Sequence, residues 1–208
     1  PERTAANIRR RLPDARLIAI LRQPAERAYS QFTYRRQQGH EPLRDFRQAL
    51  AAEDQRIAAN WPPDCRYRRN GLYFTNLTPY YALFPREQIR IYLYDDLKDR
   101  SAALLTDLGQ FLHVDPALMP DTAPQRNVTT WQRSRLLGSL LRRSGSLEAL
   151  LPAGLRHALG SRLRAWNRVK PPPLDPDLRR DLTESYRDEI LRLQDLIGRD
   201  LSHWLSSP

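Results

Sequence analysis

Arg22 and Ser30 stand eight residues apart, and their setting suits them to hold an anion. The apolar run Leu17 to Leu21 ends in Arg22, Pro24 opens a helix, and Ser30 follows two turns into it. In a parallel sheet the carboxyl ends of the strands open onto the ligand crevice. A guanidinium there grips a phosphate through its fork of N–H donors, and the first turn of a helix adds positive potential. A strand–turn–helix of this kind is prepared for a phosphate. Ser30 shares a helical face with Glu26, Arg27, Thr33 and Tyr34, apart from the Ala25, Ala28, Tyr29, Phe32 stripe that reads as core. Taken singly, Arg22 reads equally well as a strand-end arginine in a salt bridge, and Ser30 as an exposed helix serine. Arg27 reads as an ion-pair partner of nearby acids.

The elements that must position these residues follow from pattern. Residues 4–12 read as a short basic helix and Pro13-Asp14 as a turn. Arg16 to Leu21 has the continuous apolar character of a buried parallel strand. Pro24 suits the first helical turn, where its missing N–H costs nothing, and Gly39 stops that helix. Residues 42–58 predict a helix with Leu43, Phe46, Leu50 and Ile57 inward, and Trp61 to Asn70 a proline-rich loop. Gly71 opens a helix that Pro85 ends. Ile89, Ile91 and Leu93 alternate with Arg90, Tyr92 and Tyr94 as a strand, and Ala102 to Leu112 is a helix. Residues 115–132 read as loop. A last helix has Asp175 as N-cap and Pro176 at its first position, with Leu178, Leu182, Tyr186, Ile190, Leu193 and Ile197 inward. Strand, helices, strand, helix argues for an α/β fold with a parallel sheet. Only two strands are clear, and a stable sheet calls for more.

A single domain accommodates 208 residues. The formal charge of +10 favours anionic ligands or surfaces. Lys98 and Lys170 are the only lysines; the other basic residues are arginines, a bias that a high-GC genome explains. Mean hydropathy is −0.68, and no run approaches the ~20 apolar residues of a membrane span. Cys65 stands alone, which excludes an intrachain disulfide or a cysteine zinc cluster. No metal-ligand spacing appears, and His40, His113, His157 and His203 are scattered. Residues 133–168 interleave leucines with arginines and read as a basic lid or a pair of packed helices. An interfacial helix on anionic lipid is the alternative, against which the breakers Gly138, Gly145, Pro152, Gly154 and Gly160 count. Nucleic acid is not an expected partner, since no aromatic-interleaved basic stripe or reader motif is present. The chain begins at Pro1, which suggests a processed or truncated start.

The 17–30 stretch resembles the 3′-phosphate motif of sulfotransferases that use 3′-phosphoadenosine-5′-phosphosulfate (PAPS), with Arg22 and Ser30 at the positions that hold the 3′-phosphate. Gly71-Leu72-Tyr73 through Phe84 to Ile89 and Tyr94 to Leu97 is similar to the family's next block. Phe111-Leu112-His113-Val114 and the tail Gly198-Arg199-Asp200-Leu201 with Trp204 resemble its later signatures. The bacterial and heparan-type branch is the most similar. The resemblance implies a P-loop-NTPase-like three-layer fold, helix-rich. It implies PAPS as cosubstrate, no metal, and sulfuryl transfer to a hydroxyl or amine on a carbohydrate, glycolipid or other small acceptor.

Asn167-Arg168-Val169-Lys170 occupies the place where heparan-type relatives carry a basic loop that closes over the nucleotide, so Arg168 and Lys170 join Arg22 and Ser30 as cofactor-binding candidates. A solvated basic linker is the equal alternative. Asn127 to Trp131 matches a substrate-side loop loosely, and Gly71 and Tyr73 suit packing or the nucleotide pocket. His40 is a weak candidate base; no catalytic base stands out. One departure weighs against the matches: no Gly-x-x-Lys-[Gly/Ser]-Thr-like run is present, so a chain lacking the first strand and the 5′-phosphosulfate segment is expected. A non-catalytic PAP- or PAPS-binding remnant is therefore a second reading, and a basic membrane-surface or nucleic-acid adaptor a third. The expected location is cytoplasmic, with peripheral membrane contact as an option.

Overall fold

Apolar periodicity and two helix stops lay out the first half of the chain. A computed structural model describes residues 1–115, 131–132, 166 and 168–206. Helix α1 (Glu2–Arg11) leads to strand β1 (Leu17–Leu21) and helix α2 (Pro24–Gln38), which ends at Gly39 in the left-handed region (φ 80°). Helices α3 (Phe46–Ala51) and α4 (Glu53–Ala58) follow, then α5 (Tyr73–Leu83). Strand β2 (Ile89–Leu93) runs directly into α6 (Tyr94–Asp99) and then α7 (Ser101–Leu112). Two short strands, β3 (Trp131–Gln132) and β4 (Arg168–Val169), pair antiparallel. Helices α8 (Pro176–Ser185), α9 (Arg187–Ile197) and α10 (Ser202–Leu205) close the described chain. No described helix is long and apolar enough to cross a membrane. The leucine–arginine section up to residue 165, Asn167 and the Asn127 loop up to residue 130 lie outside the described residues.

β1 and β2 pair in parallel, Leu17 opposite Ile89 and Leu21 opposite Leu93, with α2 to α5 in the crossover. The chain is thus helix-rich α/β with a small parallel sheet, as its pattern predicts. Burial along β1 is not continuous, however. Leu21 is buried and Ala19 packs on the core, while Ile18 and Ile20 are 40% and 52% exposed. Side chains alternate across a strand, and the described core lies on the Ala19 and Leu21 face.

Two predicted helices are each split. Residues 42–58 form α3 and α4, because Asp45 caps the first by accepting from the Gln48 N–H (2.8 Å) and Ala52 turns the chain between them. Phe46 and Leu50 are buried as expected; Ile57 is only half-buried, and its helix buries Glu53 and Arg56 instead. The C-terminal helix breaks at Tyr186, yet most of its inward set holds: Leu178, Leu182, Tyr186, Ile190 and Leu193 are buried, and Ile197 is half-buried against the same core.

The core groups these residues with Phe32, Phe46, Tyr67, Tyr73, Leu201 and Trp204. Each fully buried large apolar side chain stabilises the fold by about 1.5–3 kcal/mol. Two sequence blocks far apart meet here. Arg199, just after the left-handed cap Gly198, grips Asp96 of α6 through two bonds (2.6 and 3.2 Å), which holds that carboxyl below its usual range. Gly71 lies against the Tyr186 ring. A Cβ there would fall 2.8 Å from the Tyr186 hydroxyl oxygen and 3.0 Å from its Cζ. Gly71→Ala is therefore expected to destabilise the fold by about 1–3 kcal/mol, read as a lowered thermal midpoint.

Candidate functional site

The crevice is built where β1 and β2 end. Arg22 follows β1, and its guanidinium lies 5.2 Å above the ring of Tyr94, which follows β2. The Arg22 backbone is pinned separately: its carbonyl accepts from the Tyr73 hydroxyl (2.8 Å). Burial pushes the Tyr73 phenol up to about 12, so it stays a donor throughout the ordinary pH range.

Gln23, buried at the N-cap of α2, locks the next element in place. Its Oε1 accepts from the Glu26 N–H (2.8 Å), while its Nε2 donates to the Thr183 hydroxyl (2.9 Å) and the Trp204 carbonyl (3.3 Å). One side chain thereby fixes the start of α2 against α8 and α10. Gln23→Ala leaves buried partners unmade and is expected to lose about 1–3 kcal/mol, visible as a shifted urea midpoint.

A cavity of about 820 Å³ opens beside this junction. Arg22, Glu26, Tyr29, Ser30 and Thr33 line it from the α2 side, and Lys170, the Pro171-Pro172-Pro173 run, Arg179 and Arg180 from the other. Three of the four predicted residues, Arg22, Ser30 and Lys170, thus converge on one cavity. Of Arg168 only the backbone is described, paired opposite Gln132 in the β3–β4 ribbon.

The salt-bridge reading of Arg22 also holds. Its Nη2 donates to Glu26 Oε2 (3.0 Å), one turn along α2. Glu26 Oε1 in turn accepts from Arg179 Nε (3.0 Å). Four cations therefore line the cavity among the described residues, and one carboxylate sits between two of them.

Tyr29 belongs partly to the core stripe and partly to the cavity. Its ring packs on Phe46 (5.3 Å) and Phe32, and its hydroxyl donates to the Pro172 carbonyl (2.7 Å), fastening the proline run to α2. Among the described residues Arg27 meets no acid: its two terminal nitrogens donate to Gln31 and to the Tyr67 carbonyl, and it does not line the cavity. His40 is exposed in the loop after α2 and is not a lining residue either. Gly71 and Tyr73 serve packing and the pinning of Arg22.

Arg179 and Glu26 were not legible as site residues. They are 153 positions apart, and nothing in either neighbourhood announces the contact. The one usable signal was the basic pair Arg179-Arg180 in the helix that Asp175 caps, next to the Lys170 segment.

No family model matches the chain. Among curated proteins, the human bifunctional heparan sulfate N-deacetylase/N-sulfotransferase 2 is 28% identical over 203 residues, covering 93% of this chain and 20% of that protein. The mouse bifunctional heparan sulfate N-deacetylase/N-sulfotransferase 4 is 27% identical over 219 residues, covering 99% of this chain and 22% of that protein. The chain thus spans about a fifth of the length of these curated relatives. In structure it is similar to a sulfotransferase from Alicyclobacillus acidocaldarius, with a TM-score of 0.69 and 27% identity over 98% of this chain and 62% of that one. The likeness in fold extends over nearly the whole chain and agrees with the P-loop-like α/β class expected from the sequence.

Proposed function

We propose that the chain is a member of the PAPS-dependent sulfotransferase family, a reading its likeness to the heparan sulfate N-sulfotransferases and to the bacterial sulfotransferase supports, and that its cavity binds the 3′-phosphate end of PAPS in the service of sulfuryl transfer. The observation that carries this reading is the convergence of Arg22, Ser30 and Lys170 on one cavity at the carboxyl end of the parallel sheet. The donor set fits a phosphate: a guanidinium fork, a hydroxyl and an ammonium, beside the first turn of α2. Arg168 stands two residues from Lys170 in sequence and is proposed as a further basic ligand of the nucleotide.

In the proposed reaction an acceptor hydroxyl or amine attacks the sulfur of PAPS in line. The new O–S or N–S bond forms as the sulfur–oxygen bond to the 5′-phosphate breaks. The acceptor proton passes to a base, and adenosine 3′,5′-bisphosphate (PAP) leaves. The part of this chain's residues is to bind and orient the nucleotide through its 3′-phosphate, which converts the attack into a positioned event. The acceptor class we infer is carbohydrate or glycolipid, supported by relatives whose names carry heparan sulfate.

Binding without transfer is a second reading, for which the donors that line this cavity, suited to a 3′-phosphate, would suffice. Calorimetric titration with PAP tests the shared premise, with micromolar binding expected. No binding overturns the 3′-phosphate site. Release of PAP from PAPS in the presence of an amino- or hydroxyl-bearing glycan then separates the two readings: turnover supports transfer, and binding without turnover supports the second.

A further inference from the structure

The carboxylate at the centre of the cationic cavity has no part in the function as stated. Glu26 accepts from Arg22 Nη2 through one oxygen and from Arg179 Nε through the other, both at 3.0 Å. All three side chains line the same cavity and remain partly open to it, at 34% for Arg22, 31% for Glu26 and 19% for Arg179. We propose that Arg179 is a second phosphate-gripping arginine and that Glu26 is a built-in counter-anion, which holds the two guanidiniums together and competes with the ligand's phosphate for them. The proposal rests on the 3′-phosphate reading of this cavity.

The chemistry of the three groups supports the assignment. A guanidinium carries five N–H donors, and the bonds to Glu26 use one from each arginine. Both arginines line the cavity together with Lys170 and Arg180. A phosphate monoester carries about −1.5 to −2 charge and three acceptor oxygens, so it outbids a single carboxylate for the pair. Glu26 nevertheless stays within Coulombic reach of any anion bound there, and like charges repel. The result is a site whose arginines are held ready without a ligand, and whose affinity is held down with one. In a group-transfer enzyme that combination favours release of the bisphosphate product, because Glu26 regains both partners as PAP departs. Placement of the three groups is rigid: Gln23 caps the Glu26 turn and also bonds Thr183, on the helix that carries Arg179.

The test uses the full chain, PAP as probe and adenosine 5′-monophosphate, which lacks the 3′-phosphate, as control. Glu26→Gln is expected to tighten PAP about three- to tenfold and to slow its release in stopped-flow displacement, with the monophosphate unchanged. Arg179→Gln is expected to weaken PAP about tenfold. Should Glu26→Gln lower the melting temperature sharply, Glu26→Ser serves in its place with the same expected sign. Unchanged or weaker PAP binding in the folded Glu26 variant overturns the counter-anion role. Unchanged binding in Arg179→Gln overturns the second-arginine role. If the unaltered chain binds PAP and Arg22→Ala abolishes it while both of these variants behave like the parent, this inference falls and the proposed function stands. If the unaltered chain binds no PAP, both fall.

Discussion

Arg22→Ala is expected to weaken PAP binding by tenfold or more while leaving the fold intact. The two halves of that result come from different physics. A charge-assisted hydrogen bond to a phosphate is worth about 1.5–3 kcal/mol, and each 1.4 kcal/mol is a factor of ten in affinity. Losing one such bond costs about tenfold, and losing a bidentate pair considerably more. Stability depends on different contacts. The Arg22 side chain is 34% exposed, and its ion pair with Glu26 is the partly solvated kind that contributes about 0–1 kcal/mol. The buried anchor at this position is the backbone carbonyl that accepts from Tyr73, and the substitution leaves it untouched. Calorimetric titration and a melting curve on the same sample check both halves. Parental affinity in a folded Arg22→Ala chain would remove Arg22 from the phosphate site.

The local half of this site was legible because its information is local. Arg22, Pro24 and Ser30 lie within nine residues, and each obeys a rule that needs no partner: an arginine at a strand end, a proline at a helix start, a serine off the core stripe. Lys170 was placed by analogy of position and does line the cavity. Contacts between distant segments carried no such signal. The Arg179–Glu26 pair depends on how α8 docks on α2, and that docking is set by Gln23, Thr183 and Trp204, residues of three separate elements. The helix breaks at Ala52 and Tyr186 escaped notice for a similar reason. In both places the apolar period runs on across the break, so most inward residues were read correctly, Ile57 and Ile197 being only half-buried, while the axis was not. Glu53 and Arg56, charged residues outside the expected inward set, are buried because tertiary partners compensate them.

That last case yields the largest expected loss of stability. Glu41 is fully buried and accepts hydrogen bonds from Arg56 (2.7 and 2.8 Å), from the Tyr67 hydroxyl (2.6 Å) and from the Leu43 N–H (2.9 Å). Arg56, 7% exposed, stacks 4.8 Å above the Trp61 ring, so the cluster ties α4 to the loop before α3 and to the loop after α4. Removing one member of a buried pair leaves an uncompensated charge, at a typical cost of about 3–5 kcal/mol. Glu41→Ala should therefore lose about that much in urea unfolding, whereas Tyr67→Phe, which removes one neutral donor, should lose about 1–2 kcal/mol. The double change Glu41→Leu with Arg56→Met removes both charges and should recover a substantial part of the loss. The carboxyl also sets an acid limit. Burial pushes Glu41 up, but the bonds from Arg56, Tyr67 and Leu43 outweigh it and hold the group below its ordinary value of 4.5. The unfolded chain thus takes up this proton first as pH falls. The stabilisation is complete above about pH 4.5 and is lost progressively below it, through the folded value. Stability measured from pH 7 down to pH 3 should fall more steeply in the parent than in the double variant. Equal slopes, or a loss under about 1 kcal/mol in Glu41→Ala, would show that the ion pair is replaceable by solvent and that the loops hold without it.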